Sequence, residues 1–167
     1  MKYDSWGELK RAAPKRLSDA WELLEHPTRN RHEADAPYRH LCAARYLGGY
    51  AVECILKVHI ILLVRARSHQ PIEHWGEVID YFQRLAEPLD LSGAHSHDLG
   101  KLFSASQLAG HVDGDRETKQ AWGRCVKWDY AERYRPGHVL SRERIEVEDF
   151  VKACDSIYHW VTNQLRD

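Results

Sequence analysis

The sequence predicts an all-α fold, a single-domain up-and-down bundle of about five or six helices. Three observations predict it. Apolar residues recur at helical spacing in segment after segment, Pro- and Gly-containing turns separate those segments, and no stretch alternates apolar and polar residues as a strand does. With 167 residues, 43% of them hydrophobic, the chain is long enough for one packed core and short for two. Residues 1–167 therefore read as one domain, with residues 1–34 an N-terminal helical extension packed on it.

Ser5 and Glu8 have the spacing of a capping box and open a first helix. Its stripe of Trp6, Leu9, Ala13, Leu17, Trp21 and Leu24 keeps phase across Pro14, where a kink or short break is expected. His26 and Pro27 end it, and Thr28 to Pro37 is a polar stretch without period that reads as a loop. The second helix is expected from about Pro37 to Ala66, before the breaker run that ends at Pro71. Trp75, Val78, Ile79, Phe82 and Leu85 form a third stripe, which Pro88 closes. Ser96 is the expected cap of a short helix reaching about Ala109, with Asp98 in its first turn. Asp115 caps the next helix, whose stripe of Trp122, Cys125, Val126, Asp129 and Tyr130 is expected to run on until Pro136 and Gly137 stop it. Ser141 starts a last helix, in which Val147, Phe150, Val151, Cys154, Ile157, Tyr158, Val161 and Leu165 stay in phase. Trp128 and Trp160 fall off the stripes of their helices, which fits either a wider buried face or a self-association surface.

The second helix is apolar on almost every side and so reads as the central, buried one. Arg45, Glu53 and Lys57, with Gly49 at the missing step, recur every four residues and draw a polar stripe along it. A buried polar stripe must find partners, either internal ones that make it a scaffold of ion pairs or a ligand that makes it a site. Gly48 and Gly49 add to the question. Glycine inside a helix costs about 1 kcal/mol against alanine, so a pair of them marks close approach by a neighbour or a ligand.

Composition narrows the function classes. Lys plus Arg number 24 against 25 acidic residues, a formal charge of −1, so any phosphate site is local rather than a property of the whole surface. Cys42, Cys54, Cys125 and Cys154 lie among apolar neighbours with no paired spacing, as expected of reduced thiols in a cytoplasmic protein. The N-terminus has no signal-peptide core, and the uncharged apolar run after Lys57 is only seven residues against the roughly 20 that span a bilayer. No membrane association is expected.

The segment Gly49-Tyr50-Ala-Val-Glu53-Cys-Ile-Leu-Lys57 resembles the signature helix of HEPN domains (higher eukaryotes and prokaryotes nucleotide-binding). His97-Asp98-Leu99 with Leu102, and Trp128-Asp-Tyr-Ala-Glu-Arg133-Tyr134-Arg-Pro136, agree with it in order and spacing, so the resemblance covers about Arg39 to the C-terminus. It implies a helical domain that pairs as a homodimer, binds or cleaves RNA or binds nucleotides, and uses no cofactor. It also implies a possible role as the toxin-like half of a pair with a minimal nucleotidyltransferase antitoxin. A catalytically silent helical partner module is the alternative.

Many HEPN proteins are metal-independent ribonucleases marked by Arg, four to six residues, then His near the start of the last helix. Arg133 and His138 match that mark in spacing and place, which makes them the catalytic candidates. The chemistry fits: Arg holds the scissile phosphate while His moves a proton. Arg67 and His74 share the spacing, so position is what singles out Arg133 and His138, and Arg133 has a competing structural role beside Tyr134. For nucleotide or phosphate binding, the resemblance points to the central stripe, with Arg45 and Lys57 on phosphates, Glu53 between them and Tyr50 stacking on a base. His95, His97 and Asp98 have the types and proximity of metal ligands, but a helix-capping role is favoured and no metal is expected.

Overall fold

The computed structural model describes residues 5–25, 36–85, 91, 97–130 and 141–165. Among them the fold is an all-α bundle of seven helices with no strand: α1 (Trp6–Glu25), α2 (Ala36–Ser68), α3 (Trp75–Gln83), α4 (Leu99–Ser106), α5 (Ala109–Val112), α6 (Arg116–Cys125) and α7 (Ser141–Gln164). The helix beyond the expected six is α5, a single turn.

α2 is the axis, packed against α1, α3, α4 and α7. Residues around its whole circumference are fully buried, Val52, Cys54, Leu56 and Val58 among them. By length and composition the stretch His40–Ser68 is apolar enough to cross a membrane, but 72% of its most apolar window is buried inside the fold. Counting only the run after Lys57 understated this helix, because Glu53 and Lys57 are themselves buried and do not interrupt its apolar character.

α1 lies on α2 with Leu9, Ala13, Leu17, Ala20 and Leu24 facing inward. Ser5 and Glu8 form the expected capping box: the Ser5 N–H donates to Glu8 Oε2 at 2.9 Å, and the Glu8 N–H donates back to Ser5 Oγ at 3.3 Å. Those bonds hold the Glu8 carboxyl below its ordinary range. The helix runs unbroken through Pro14, whose ring is exposed while the stripe on either side of it is buried.

Three helices differ in their bounds from the sequence-based expectation. α3 stops at Gln83, leaving Leu85 41% exposed rather than on the buried stripe. Asp98 itself caps α4, accepting the Lys101 N–H at 3.1 Å, and α4 ends where Gln107 takes a left-handed conformation, φ 61°. Ser96 and Pro88 lie outside the described residues.

The third difference matters most. Asp115 caps α6 as expected, accepting the Glu117 N–H at 3.0 Å, but the helix stops at Cys125 instead of continuing through Tyr130. A turn follows, closed by the Trp128 N–H on the Cys125 carbonyl at 3.0 Å. It directs Trp128 into the core, 6% exposed, so Trp128 is not part of a self-association surface. Trp160, half-buried on α7, lies with its ring centroid 6.4 Å from that of Phe103.

α7 packs on α2 and α6 through Val147, Val151, Cys154, Ile157 and Val161. Cys125 and Cys154 meet there with their sulfurs 3.7 Å apart. Burial, and then the hydrogen bond with Cys125, pushes the Cys154 thiol well above its ordinary range, so it acts as packing rather than as a nucleophile.

Candidate functional site

Glu53 lies midway along α2 with 1% of its surface exposed. Desolvating a carboxylate costs several kcal/mol unless partners replace the lost water, so its partners define the site. One turn further along α2, Lys57 Nζ reaches Glu53 Oε1 at 2.6 Å. Lys57 is 7% exposed, and its ammonium lies over the Trp75 ring, 5.1 Å from the centroid. The other partner comes from 44 residues away: His97 Nδ1 is 3.0 Å from both Glu53 oxygens. An ionised carboxylate only accepts, so Nδ1 carries the proton.

Two local features bring His97 to this place. Asp98 turns the chain into α4, which packs on α2, so the residue just before the cap meets the middle of α2. Tyr130 then stacks on the imidazole, centroids 5.1 Å apart and planes 30° apart. Tyr130 is available because α6 has already ended. His97 side-chain exposure is 39%, so it carries the buried carboxylate's hydrogen bonding towards solvent.

A turn earlier on α2, Gly49 explains itself. An ideal Cβ built there would fall 2.3 Å from Trp128 Cδ1 and Nε1, so only glycine leaves room for the indole. Gly48 is under less constraint, its nearest neighbours being Cys154 and Val151 at 3.5 Å. Tyr46 lies beside the same indole, centroids 6.1 Å apart, and stacks on Tyr50 at 6.0 Å.

The four candidate binding residues, Arg45, Tyr50, Glu53 and Lys57, therefore do not share one surface. Glu53 and Lys57 are buried and satisfied by protein, whereas Arg45 and Tyr50 are half-buried. The Arg45 guanidinium carbon is 4.8 Å from the Phe150 ring centroid. That contact floors a shallow pocket of about 230 Å³ lined by Arg45, Arg124, Lys127, Glu146, Asp149 and Phe150. Three cations and two carboxylates leave it weakly positive.

Arg133 and His138 lie outside the described residues, as does His95. Asp98 caps α4, the role expected of it, while His97 binds Glu53. His59 is a different kind of histidine: burial, then the charge of His111, lowers its pKa, and its Nδ1 has no hydrogen-bond partner among the described residues.

Sequence reasoning missed His97 as the partner of Glu53, and it missed Arg124 and Lys127 as neighbours of Arg45. Buried Glu53 was a signal that a second partner was needed, but nothing in local spacing names a residue 44 positions away. No family model, curated protein or solved structure matches this chain.

Proposed function

We propose that this chain is a HEPN-like domain protein that acts on RNA, cleaving it without a metal through Arg133 and His138. One observation carries the reading. The three separate segments on which the resemblance rests meet in space: Trp128 fills the notch at Gly49, His97 binds Glu53, and Tyr130 stacks on His97. Segments chosen for their order along the chain had no need to touch.

In this reading Arg133 holds the phosphate and His138 moves a proton. Arg45, Arg124 and Lys127 give the shallow pocket a local positive character that the net charge of −1 does not reveal. The protein is a cytoplasmic homodimer, the toxin-like half of a pair with a minimal nucleotidyltransferase.

The test is RNA cleavage by purified protein in EDTA, with wild type and His138→Ala compared at equal folded fraction. Cleavage leaving 2′,3′-cyclic phosphate ends, and reduced about 100-fold or more in the variant, is the expected result. A second reading, a catalytically silent helical partner module, is favoured by the internal satisfaction of Glu53 and Lys57. Absence of cleavage across structured and unstructured RNAs would select it.

A further inference from the structure

The turn that buries Trp128 also fixes two cations at the end of α6. It is closed by the Lys127 N–H on the Arg124 carbonyl at 3.4 Å and by the Trp128 N–H on the Cys125 carbonyl at 3.0 Å. Arg124 and Lys127 are therefore carried on a backbone that the buried indole anchors. Both side chains are exposed, and both line the shallow pocket of about 230 Å³. The buried Phe150 ring with Arg45 over it forms the floor, and Glu146 and Asp149 of α7 complete the lining.

A basic residue in the last turn of a helix complements the helix dipole, and Arg124 fits that role. The role does not call for a second cation from the following turn, or for a cavity that a third cation, from α2, also lines. Opposite charges share this cavity, yet among the described residues Arg124 and Lys127 form no ion pair with Glu146 or Asp149. An arriving anion has no such pair to break. Charge then decides which anion fits. Three cations against two carboxylates leave an excess of one positive charge, which a singly charged phosphodiester balances. A terminal phosphate monoester, with about −1.5 to −2 charges at neutral pH, would overshoot it and meet two carboxylates. Size agrees: sites that enclose a whole small molecule measure roughly 300–1,000 Å³, so this smaller cavity suits one unit of a longer chain.

We propose that Arg124 and Lys127 bind one backbone phosphodiester of RNA in this pocket, over the floor made by Arg45 and Phe150. The subsite rests on the RNA reading above but needs neither Arg133 nor His138. Such a contact positions the strand without reading its sequence.

The test is binding, by fluorescence anisotropy, of a labelled single-stranded 2′-O-methyl oligoribonucleotide, which has no free 2′-hydroxyl through which it could be cleaved. For the double variant Arg124→Ala, Lys127→Ala, the slope of log K against log salt should shrink by about 0.7, the share of one phosphate on a single strand. Affinity at about 0.1 M salt should fall roughly 5-fold, the same exponent applied to that concentration. The double variant Lys10→Ala, Lys15→Ala removes the same charge from exposed positions on α1 that do not line the pocket, and should match wild type. Glu146→Gln with Asp149→Asn should tighten binding, and thermal midpoints check that each variant is folded. Wild-type affinity and slope in the Arg124, Lys127 variant, or an equal loss in the Lys10, Lys15 control, would overturn the subsite. Weaker binding by the Glu146, Asp149 variant would overturn the assignment of a lone monoanion, since the carboxylates would then be holding the ligand. A wild type that binds no oligonucleotide also overturns the subsite, whereas the RNA reading stands or falls separately on cleavage in EDTA.

Discussion

Glu53→Ala is expected to destabilise the protein by about 3–5 kcal/mol, the cost of stripping one partner from a buried ion pair. Lys57 would be left 7% exposed with no carboxylate, and His97 Nδ1 would lose both of its acceptors. For a domain whose whole stability is about 5–15 kcal/mol, that loss approaches global unfolding. Glu53→Gln should cost less, because an amide oxygen still accepts from Lys57 or His97. Urea denaturation followed by circular dichroism measures both variants. A loss under about 1 kcal/mol for Glu53→Ala would mean that the pair behaves as a solvated surface pair.

Gly49→Ala is expected to cost about 2–4 kcal/mol, although alanine is the better helix former by about 1 kcal/mol. The new methyl would meet the Trp128 indole at 2.3 Å, and an indole 6% exposed has little room to retreat. Displacing it forfeits much of the burial that a large-to-small tryptophan substitution loses, about 3–5 kcal/mol. Trp128→Ala should therefore add little on top of Gly49→Ala, a strongly sub-additive pair. Gly48→Ala is the internal comparison. Its methyl would find neighbours at an ordinary 3.5 Å, so helix propensity should leave that variant as stable as wild type or slightly more so. Thermal and urea midpoints of the four variants decide the matter.

Local chemistry made much of the fold legible. Ser5 with Glu8 and Asp115 announced two helix starts by side-chain type and spacing, and the all-round apolar character of α2 announced the central helix. The end of α6 was not legible. Val126, Asp129 and Tyr130 continue the helical stripe in sequence, and the competing gain, burial of Trp128 in a notch on a helix 79 residues away, has no local signature. The same holds for the site. Glu53 and Lys57 could be paired from their four-residue spacing, whereas His97 read only as part of a helix start. Arg124 and Lys127 follow the course of α6 and the turn after it, so their approach to Arg45 depends on how α6 packs against α7.

The bond between Glu53 and His97 joins α2 to the start of α4 and brings two of the resembling segments together, so its energy is the most direct quantity to measure. A double-mutant cycle of Glu53→Ala and His97→Ala isolates it, because the unpaired buried charge of Lys57 is common to the Glu53→Ala variant and the double variant and cancels. With an osmolyte present to keep all four proteins folded, the cycle should give a coupling of about 1–2 kcal/mol, as for a hydrogen bond to a charged group that is partly screened by solvent. Additivity within about 0.5 kcal/mol would contradict it, and would mean that His97 and Glu53 do not hold each other in solution.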